Sequence, residues 1–462
     1  MSERIEVLSP VDGSVYADRP VARDGEVEAA LARARAAQAE WCQVPIAERG
    51  RFILAMLDAM LAMKEELVPE LAWQMGRPVR YGGEFGGFEE RLKWCVENAA
   101  AALEPIEFTD QPGFRRYIKR QPAGVVFVIA PWNYPYLTAL NTIVPALLSG
   151  SAVIHKAASQ TLLVGERFQQ AFDDAGVPAG LFQNLVLSHR QSERIIADNL
   201  VDHVNFTGSV SGGRAIEKAA AGTFTTLGLE LGGKDPAFVR ADAEIGHAVE
   251  NLVDGAFYNS GQCCCGIERI YVHEKVFKEF VGGFVDLTRK YVLGDPLDEA
   301  TTLGPMANAK GADFVREQVQ AATRSGAKAH IDARDFDRSV AASPYCAPQV
   351  LTKVNHQMWA MREESFGPVV GIMKVADDEE AIRLMNDSQY GLTASIWTGD
   401  ADVAASIGER VETGTVYMNR CDYLDPALAW TGVKNTGRGA SLSQIGFEML
   451  TRPKSFHLRE VI

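Results

Sequence analysis

The sequence predicts an α/β protein built as two doubly wound parallel-sheet units, and three observations predict it. Continuous apolar runs such as residues 124–130 (Gly-Val-Val-Phe-Val-Ile-Ala) suit strands buried on both faces. Amphipathic stretches long enough to be crossover helices separate these runs. At 462 residues the chain also exceeds what one hydrophobic core organises, so two or three units are expected.

The elements follow in order. Residues 26–41 read as an amphipathic helix rich in Ala and Arg, residues 46–71 as a second stretch interrupted at Pro69, and residues 89–103 as a third. The first hundred residues are therefore expected to be largely helical. In residues 104–121, Pro105, Thr109, Asp110, Pro112 and Gly113 sit among short β-prone pieces, which predicts a projecting hairpin. The strand at 124–130 leads to a helix at 136–148, a buried strand at 151–155, a helix near 162–175 and a short strand near 184–187. A further strand at 203–206 opens into Thr207-Gly208-Ser209. After Gly233 the second unit begins, with strands at 237–239, 269–272, 369–375, 394–397 and 415–418. The tail from Phe447 holds a β-prone Ser455-Phe456-His457-Leu458, too isolated in sequence to be a core strand of that unit.

Composition narrows the function. Apolar residues make up 47% and charged residues 23%, as in a soluble globular protein, and the net charge of −14 argues against non-specific binding to nucleic acid or anionic membrane. Met1-Ser2-Glu3-Arg4 leads into no apolar leader, and no run approaches the ~20 apolar residues of a membrane span. A cytoplasmic, reducing location is the expectation. Seven cysteines (Cys42, Cys95, Cys263, Cys264, Cys265, Cys346 and Cys421) are odd in number and lack paired C-x-x-C spacing, so neither a disulfide framework nor a zinc site is expected.

The triplet stands out. Cys263, Cys264 and Cys265 follow Gly261-Gln262, and a thiol after a glycine-rich bend suits a nucleophile. Adjacent side chains on an extended backbone diverge, so the three are not expected to hold one metal jointly. Pro131-Trp132-Asn133-Tyr134-Pro135 follows a strand's C-terminal end, where parallel sheets bind ligands. Asn133 there is either an oxyanion donor or the cap of a proline-stiffened turn. Glu230 precedes Gly232-Gly233 as a general base or as an ordinary exposed hinge carboxylate. Residues 206–213 join a strand to a helix, presenting N–H groups suited to a pyrophosphate, although the Gly-x-Gly-x-x-Gly fingerprint is absent. Lys156 ends a strand, and Glu364-Ser365-Phe366-Gly367-Pro368 offers a carboxylate and a ring before another.

With residues 303–305 (Leu-Gly-Pro) and Asn419, these landmarks resemble the aldehyde dehydrogenase superfamily, of the NAD(P)-dependent, non-phosphorylating, hydrolytic type, from near the N-terminus to residue 458. The resemblance implies a Rossmann-like dinucleotide-binding domain of residues 1–103 and 122–232, a catalytic domain of 233–446, and an oligomerisation extension from 104–121 and 447–462 that makes a homodimer or homotetramer. It implies that Cys264 attacks an aldehyde, that Asn133 and the Cys264 N–H hold the oxyanion, and that Glu230 activates water against the thioester. Cofactor contacts would come from Trp132, Lys156, Ser159, Gly208, Ser209, Gly213, Leu231, Gly232, Glu364 and Phe366, with no metal required. Cys263 and Cys265 become flanking residues.

Two departures shape the finer expectations. Ser159 stands where many relatives have the glutamate that faces the adenosine ribose; a hydroxyl does not repel a 2′-phosphate, so NADP is expected to be accepted beside NAD. Gly212-Gly213 replaces a larger residue often found under the adenine, which would loosen that pocket. Tyr136, Tyr258, Tyr423, Leu424 and Trp430, with Cys263 and Cys265, would line an apolar or aromatic substrate tunnel. Arg420 and Asp422 fit either specificity groups or rim charges. No arginine sits beside the Cys264 run, which weakens the case for a semialdehyde acid. The alternatives are a CoA-acylating relative, against which Glu230 argues, and a catalytically silent one, against which Cys264, Asn133 and Glu230 argue together.

Overall fold

The computed structural model describes residues 3–461. Its first departure is at the N-terminus, where Arg4–Leu8 and Val15–Pro20 pair as an antiparallel hairpin. Alternation is the cause: Val7 and Ala17 turn inward against Leu162 and Leu163, and Gly13 at φ 78° closes the turn. Helices Asp24–Trp41, Ile46–Ala62, Lys64–Met75 and Phe85–Ala102 follow. The break expected at Pro69 lies instead at Met63 (φ −87°, ψ −4°), and Pro69 is carried inside Lys64–Met75 at the loss of one backbone hydrogen bond.

The first sheet has six strands in the order Gly437–Arg438, Thr226–Glu230, His203–Thr207, Val125–Ile129, Ala152–Lys156, Phe182–Asn184. All its neighbours are parallel except Gly437–Arg438 against Thr226–Glu230. Val125–Ile129 is buried at every position, with helix Pro135–Ser149 and the N-terminal helices in one continuous core. The chain leaves Val125–Ile129 toward one edge and returns to fill the other through His203–Thr207. Such a reversal leaves a crevice at the strands' C-terminal ends, which here carry Ala130–Asn133 and Gly208–Ser209. Residues 437–438, assigned from sequence to the second unit, cap this sheet's edge; Gly437 at φ 114° lets the backbones meet.

The second sheet runs Lys328–Ala329, Gln349–Thr352, Val369–Val375, Ile267–His273, Asp235–Val239, Thr393–Trp397, Thr415–Met418. Only the short Lys328–Ala329 is antiparallel. The tail forms helix Ser443–Met449, whose Phe447 joins the first core, then strand Thr451–Arg459. That strand pairs with Phe114–Pro122 from Thr451↔Pro122 to Arg459↔Phe114, and Ile106–Phe108 completes a small antiparallel sheet. No helix among the described residues is long and apolar enough to cross a membrane.

Candidate active site

The cysteines sit on a turn. Gly266 N–H donates to the Cys263 carbonyl at 3.1 Å, which places Cys264 and Cys265 at the turn's centre. The expected divergence of the side chains is therefore wrong: the backbone is bent, and the three sulfurs lie within 4.8 Å of one another. Hydrogen bonding from Cys264 and Cys265 holds Cys263 well below the ordinary thiol range, and the same sharing pushes Cys264 and Cys265 up.

Upstream, Asn259 (φ 53°) and Ser260 (φ 58°) hold left-handed backbone that residues with a Cβ rarely adopt. Side-chain bonds hold them there. Ser260 Oγ donates to the Gly304 carbonyl at 2.8 Å, Asn259 Nδ2 to the Gln262 carbonyl at 3.1 Å, and Gln262 Nε2 to the Asn259 carbonyl at 3.0 Å. Strain maintained by so many partners is characteristic of functional loops.

Asn133 is buried and tied to the same loop, its Nδ2 donating to the Gln262 carbonyl at 3.2 Å. That bond uses one of its two N–H groups. Arg77 donates to the Asn133 carbonyl, to Asn259 Oδ1 at 3.3 Å and to Glu84 Oε1 at 2.9 Å. Both side chains of the Arg77–Glu84 pair are 1% exposed. The backbone N–H of Cys264 donates to no acceptor among the described residues.

A cavity of about 270 Å³ opens over the turn, lined by all three cysteines and by Glu230. Glu230 ends strand Thr226–Glu230 and accepts a hydrogen bond from Thr207 Oγ1 at 3.3 Å. Desolvation raises its pKa above the ordinary carboxylate value. Tyr134, Leu137, Thr138, Tyr258, Leu424 and Trp430 give the cavity aromatic and apolar walls.

Two expected wall residues are elsewhere. Tyr136 is fully buried with its ring against Phe85 and Phe168. On helix Pro135–Ser149 the positions Leu137, Thr138 and Asn141 share the cavity face, and Tyr136, roughly 100–160° around the helix from each of them, points into the core. Tyr423 turns outward, its hydroxyl donating to Glu90 Oε1 at 2.6 Å while Arg420 stacks on its ring at 3.9 Å. Its neighbours Asp422 and Leu424 line the cavity instead.

Sequence reasoning missed Arg91. It comes from helix Phe85–Ala102, is 8% exposed, and lines the cavity with Glu230 and the cysteines. Its Nη1 donates to Asn141 Oδ1 at 3.1 Å. Its Nε is buried without a partner, and no carboxylate of the described residues comes within ion-pair range. The nearby Glu84 is already engaged by Arg77. The absence of an arginine beside the cysteines in sequence is thus no guide to the site in space. Asp254 and Asp422 also line the cavity but are exposed.

The groove beside the turn has the donors and acceptors a dinucleotide needs. Lys156, at the end of its strand, is buried and makes no side-chain hydrogen bond or ion pair among the described residues; burial lowers its pKa. Glu364 Oε1 accepts from Gly233 N–H at 2.9 Å, and a Cβ at Gly232 would overlap the Glu364 carboxylate. Burial, then repulsion from Glu268, pushes Glu364 up to about 8. Ser209 caps helix Val210–Ala220 through Gly212 N–H at 3.1 Å, leaving further N–H groups at that terminus. Trp132 and Phe366 meet edge to face, centroids 5.4 Å apart. Behind this loop the buried Lys234 pairs with Glu268 and donates to Ser365 Oγ at 3.0 Å, while Glu268 accepts from Phe366 N–H at 2.9 Å. An unpartnered ammonium, a carboxylate over glycines and a helix N-terminus together fit riboses and pyrophosphate. Ser159 is exposed at the start of the 3₁₀ turn Ser159–Thr161. The looseness expected at Gly212 is absent, because the Phe206 ring tip fills the space a side chain would take there; Gly208 meets the same ring and Gly213 meets Leu231.

Residues 1–456 match the sequence model of the aldehyde dehydrogenase family. The chain is 32% identical over 442 residues to a succinate semialdehyde dehydrogenase (NAD(P)+) of Escherichia coli strain K12, covering 95% of this chain and 94% of that protein. It is 33% identical over 453 residues to the vanillin dehydrogenase of Corynebacterium glutamicum, covering 95% and 91%. The crystal structure of an NAD-dependent aldehyde dehydrogenase from Sinorhizobium meliloti matches with a TM-score of 0.94 at 32% identity, covering 99% of this chain and 92% of that one.

Proposed function

The chain belongs to the aldehyde dehydrogenase family, and on that premise we propose that Cys264, Asn133 and Glu230 are its catalytic residues and that its aldehyde carries a carboxylate. It is an NAD(P)-dependent oxidoreductase that converts an aldehyde to the carboxylic acid. Cys264 Sγ attacks the carbonyl carbon. The oxyanion of the thiohemiacetal takes the second Asn133 N–H and the Cys264 backbone N–H, and support for this is that neither is engaged among the described residues. Bound NAD(P) would supply the acceptor for the hydride lost from the adduct. Lys156 and Glu364 would hold its riboses, with Ser209 and Trp132 toward its phosphates and Phe366 toward the nicotinamide. Glu230 draws a proton from water, which hydrolyses the Cys264 thioester and frees the acid. A raised pKa suits a base working near neutrality.

The substrate class is carried by one observation, the Arg91 guanidinium in the cavity without a carboxylate partner. A buried cation of this kind calls for an anion. A short semialdehyde acid satisfies it, with the aldehyde at Cys264 and the carboxylate at Arg91, while Asp254 and Asp422 stay toward solvent. The walls Tyr134, Tyr258 and Trp430 favour a second reading, an aromatic aldehyde. Initial rates with succinate semialdehyde, butanal and vanillin decide. A kcat/KM for the semialdehyde no better than for butanal removes the carboxylate reading.

Ser159 supports use of both NAD and NADP. The domain division at residues 1–103 with 122–232 and at 233–446, with residues 437–438 on the edge of the first unit's sheet, is part of the same proposal. So is a homodimer or homotetramer through the small sheet, supported by the exposed Ile106 and Phe108 and testable by sedimentation. Seven free cysteines suit a reducing compartment such as the cytoplasm.

A further inference from the structure

Among the described residues the triplet is the one group of three ligating side chains whose donor atoms converge, lying within 4.8 Å of one another. Cys263 Sγ and Cys265 Sγ are 3.4 Å apart. Tetrahedral zinc with Zn–S bonds of about 2.3 Å spans thiolates ~3.8 Å apart, close to the Cys263–Cys265 separation. We propose that Cys263, Cys264 and Cys265 form a trithiolate site for a thiophilic divalent cation, Zn²⁺ or Cd²⁺, whose occupancy withdraws the nucleophile from catalysis.

Three further observations bear on it. All three cysteines line the cavity, so an ion reaches them from solvent and keeps a fourth, open position for water. The turn is closed by Gly266 N–H on the Cys263 carbonyl, and the loop entering it is held where the Gln262 carbonyl accepts from Asn133 and Asn259 and the Asn259 carbonyl accepts from Gln262, so little ordering remains to be done on binding. Charge also balances. Three thiolates with a divalent ion leave one net negative charge, and Arg91 in the same cavity has no carboxylate partner to compete for it. In the binding step the three sulfurs form three S–metal bonds, and each sulfur still carrying a proton gives it to water. No electron is transferred, so a chelator reverses it. Affinity rises with pH because protons are released, and thiolate donors select Zn²⁺ or Cd²⁺ over Mg²⁺ and Ca²⁺. The site stands whichever thiol is the nucleophile; only the inhibition rests on Cys264 in that role.

The test uses the full, nucleotide-free chain under argon. Titration with Cd²⁺ should raise a thiolate-to-metal charge-transfer band that saturates at one equivalent per chain, and Zn²⁺ should displace it. Zn²⁺ should also protect residues 263–265 from alkylation, mapped by peptide mass, while Cys42 stays reactive. The Cys263→Ala, Cys265→Ala pair should weaken binding beyond the roughly 10–100-fold typical of losing a mere supporting partner of a metal ligand. Absence of the band in the unmodified chain, or residues 263–265 still alkylated at metal saturation, overturns the site. Full occupancy with activity intact overturns the inhibition and, with it, the nucleophile reading.

Discussion

Replacing Arg91 with methionine keeps most of the side chain's length and apolar bulk while deleting the one buried guanidinium that faces the cavity without a carboxylate. Nη1 is held by Asn141 at 3.1 Å, so the head is aimed before substrate arrives. A hydrogen bond between ionised groups contributes about 1.5–3 kcal/mol, and removing one member of a buried charge pair costs about 2–5 kcal/mol. The cavity is open to water on its Asp254 and Asp422 side, which favours the overlap of those ranges, ~2–3 kcal/mol. At about 1.36 kcal/mol per decade, that is a roughly 30- to 160-fold loss of kcat/KM for succinate semialdehyde. Anchoring acts before and during the reaction alike, so the loss should appear in KM. Butanal, which has no carboxylate, should be nearly unaffected. Steady-state kinetics of the variant with both aldehydes is the assay. An equal fall for both would refute the reasoning and reassign Arg91 to setting the electrostatics of Glu230.

Other expectations follow from the same geometry. Cys264→Ser should abolish dehydrogenase turnover while nucleotide still binds, measured by activity and by fluorescence titration. Glu230→Gln should release one burst of reduced cofactor and then stall, and an unchanged steady state in stopped-flow traces would remove Glu230 as the base. Because Glu364 is protonated below about 8 in the nucleotide-free chain, NAD affinity should strengthen as pH rises through that value and level off above it; calorimetry across pH should find the dependence gone in Glu364→Gln. The same raised pKa means this group's contribution to folding stability falls as pH climbs from the ordinary carboxyl range toward about 8. Glu268→Ala leaves Lys234 buried without its counter-charge. It should lower unfolding free energy by about 3–5 kcal/mol in urea titrations.

What could be read from the sequence was what the chain keeps local. Residues 131–135, 206–213, 230–234, 261–265 and 364–368 each bring a loop and its functional side chains in a single run, so their chemistry is legible without a structure. The strands at 369–375 and 415–418 were legible because apolar runs between turn residues have few other uses. Arg91 was not, because a helix contributes it from far along the chain and nothing near it announces a site. Tyr136 was misassigned by one step of helical phase: 100° separates a cavity wall from the core. The cysteines were misjudged because a turn, which Gly266 and the Cys263 carbonyl close, cannot be told from extended chain by composition. The N-terminal hairpin was missed because its strands alternate over too few residues to outweigh the helical stretches after it.

The stretch from Glu230 to Lys234 has a consequence for anyone redesigning this protein. Within five consecutive residues it ends a strand with Glu230, seats the Glu364 carboxylate on Gly232 and Gly233, and anchors the Glu268 pair through Lys234. Mutational drift there is confined on every side at once. Altered nucleotide preference should therefore be sought at the exposed Ser159, where a change leaves the catalytic base in position, and not at Gly212, where the Phe206 ring already fills the space.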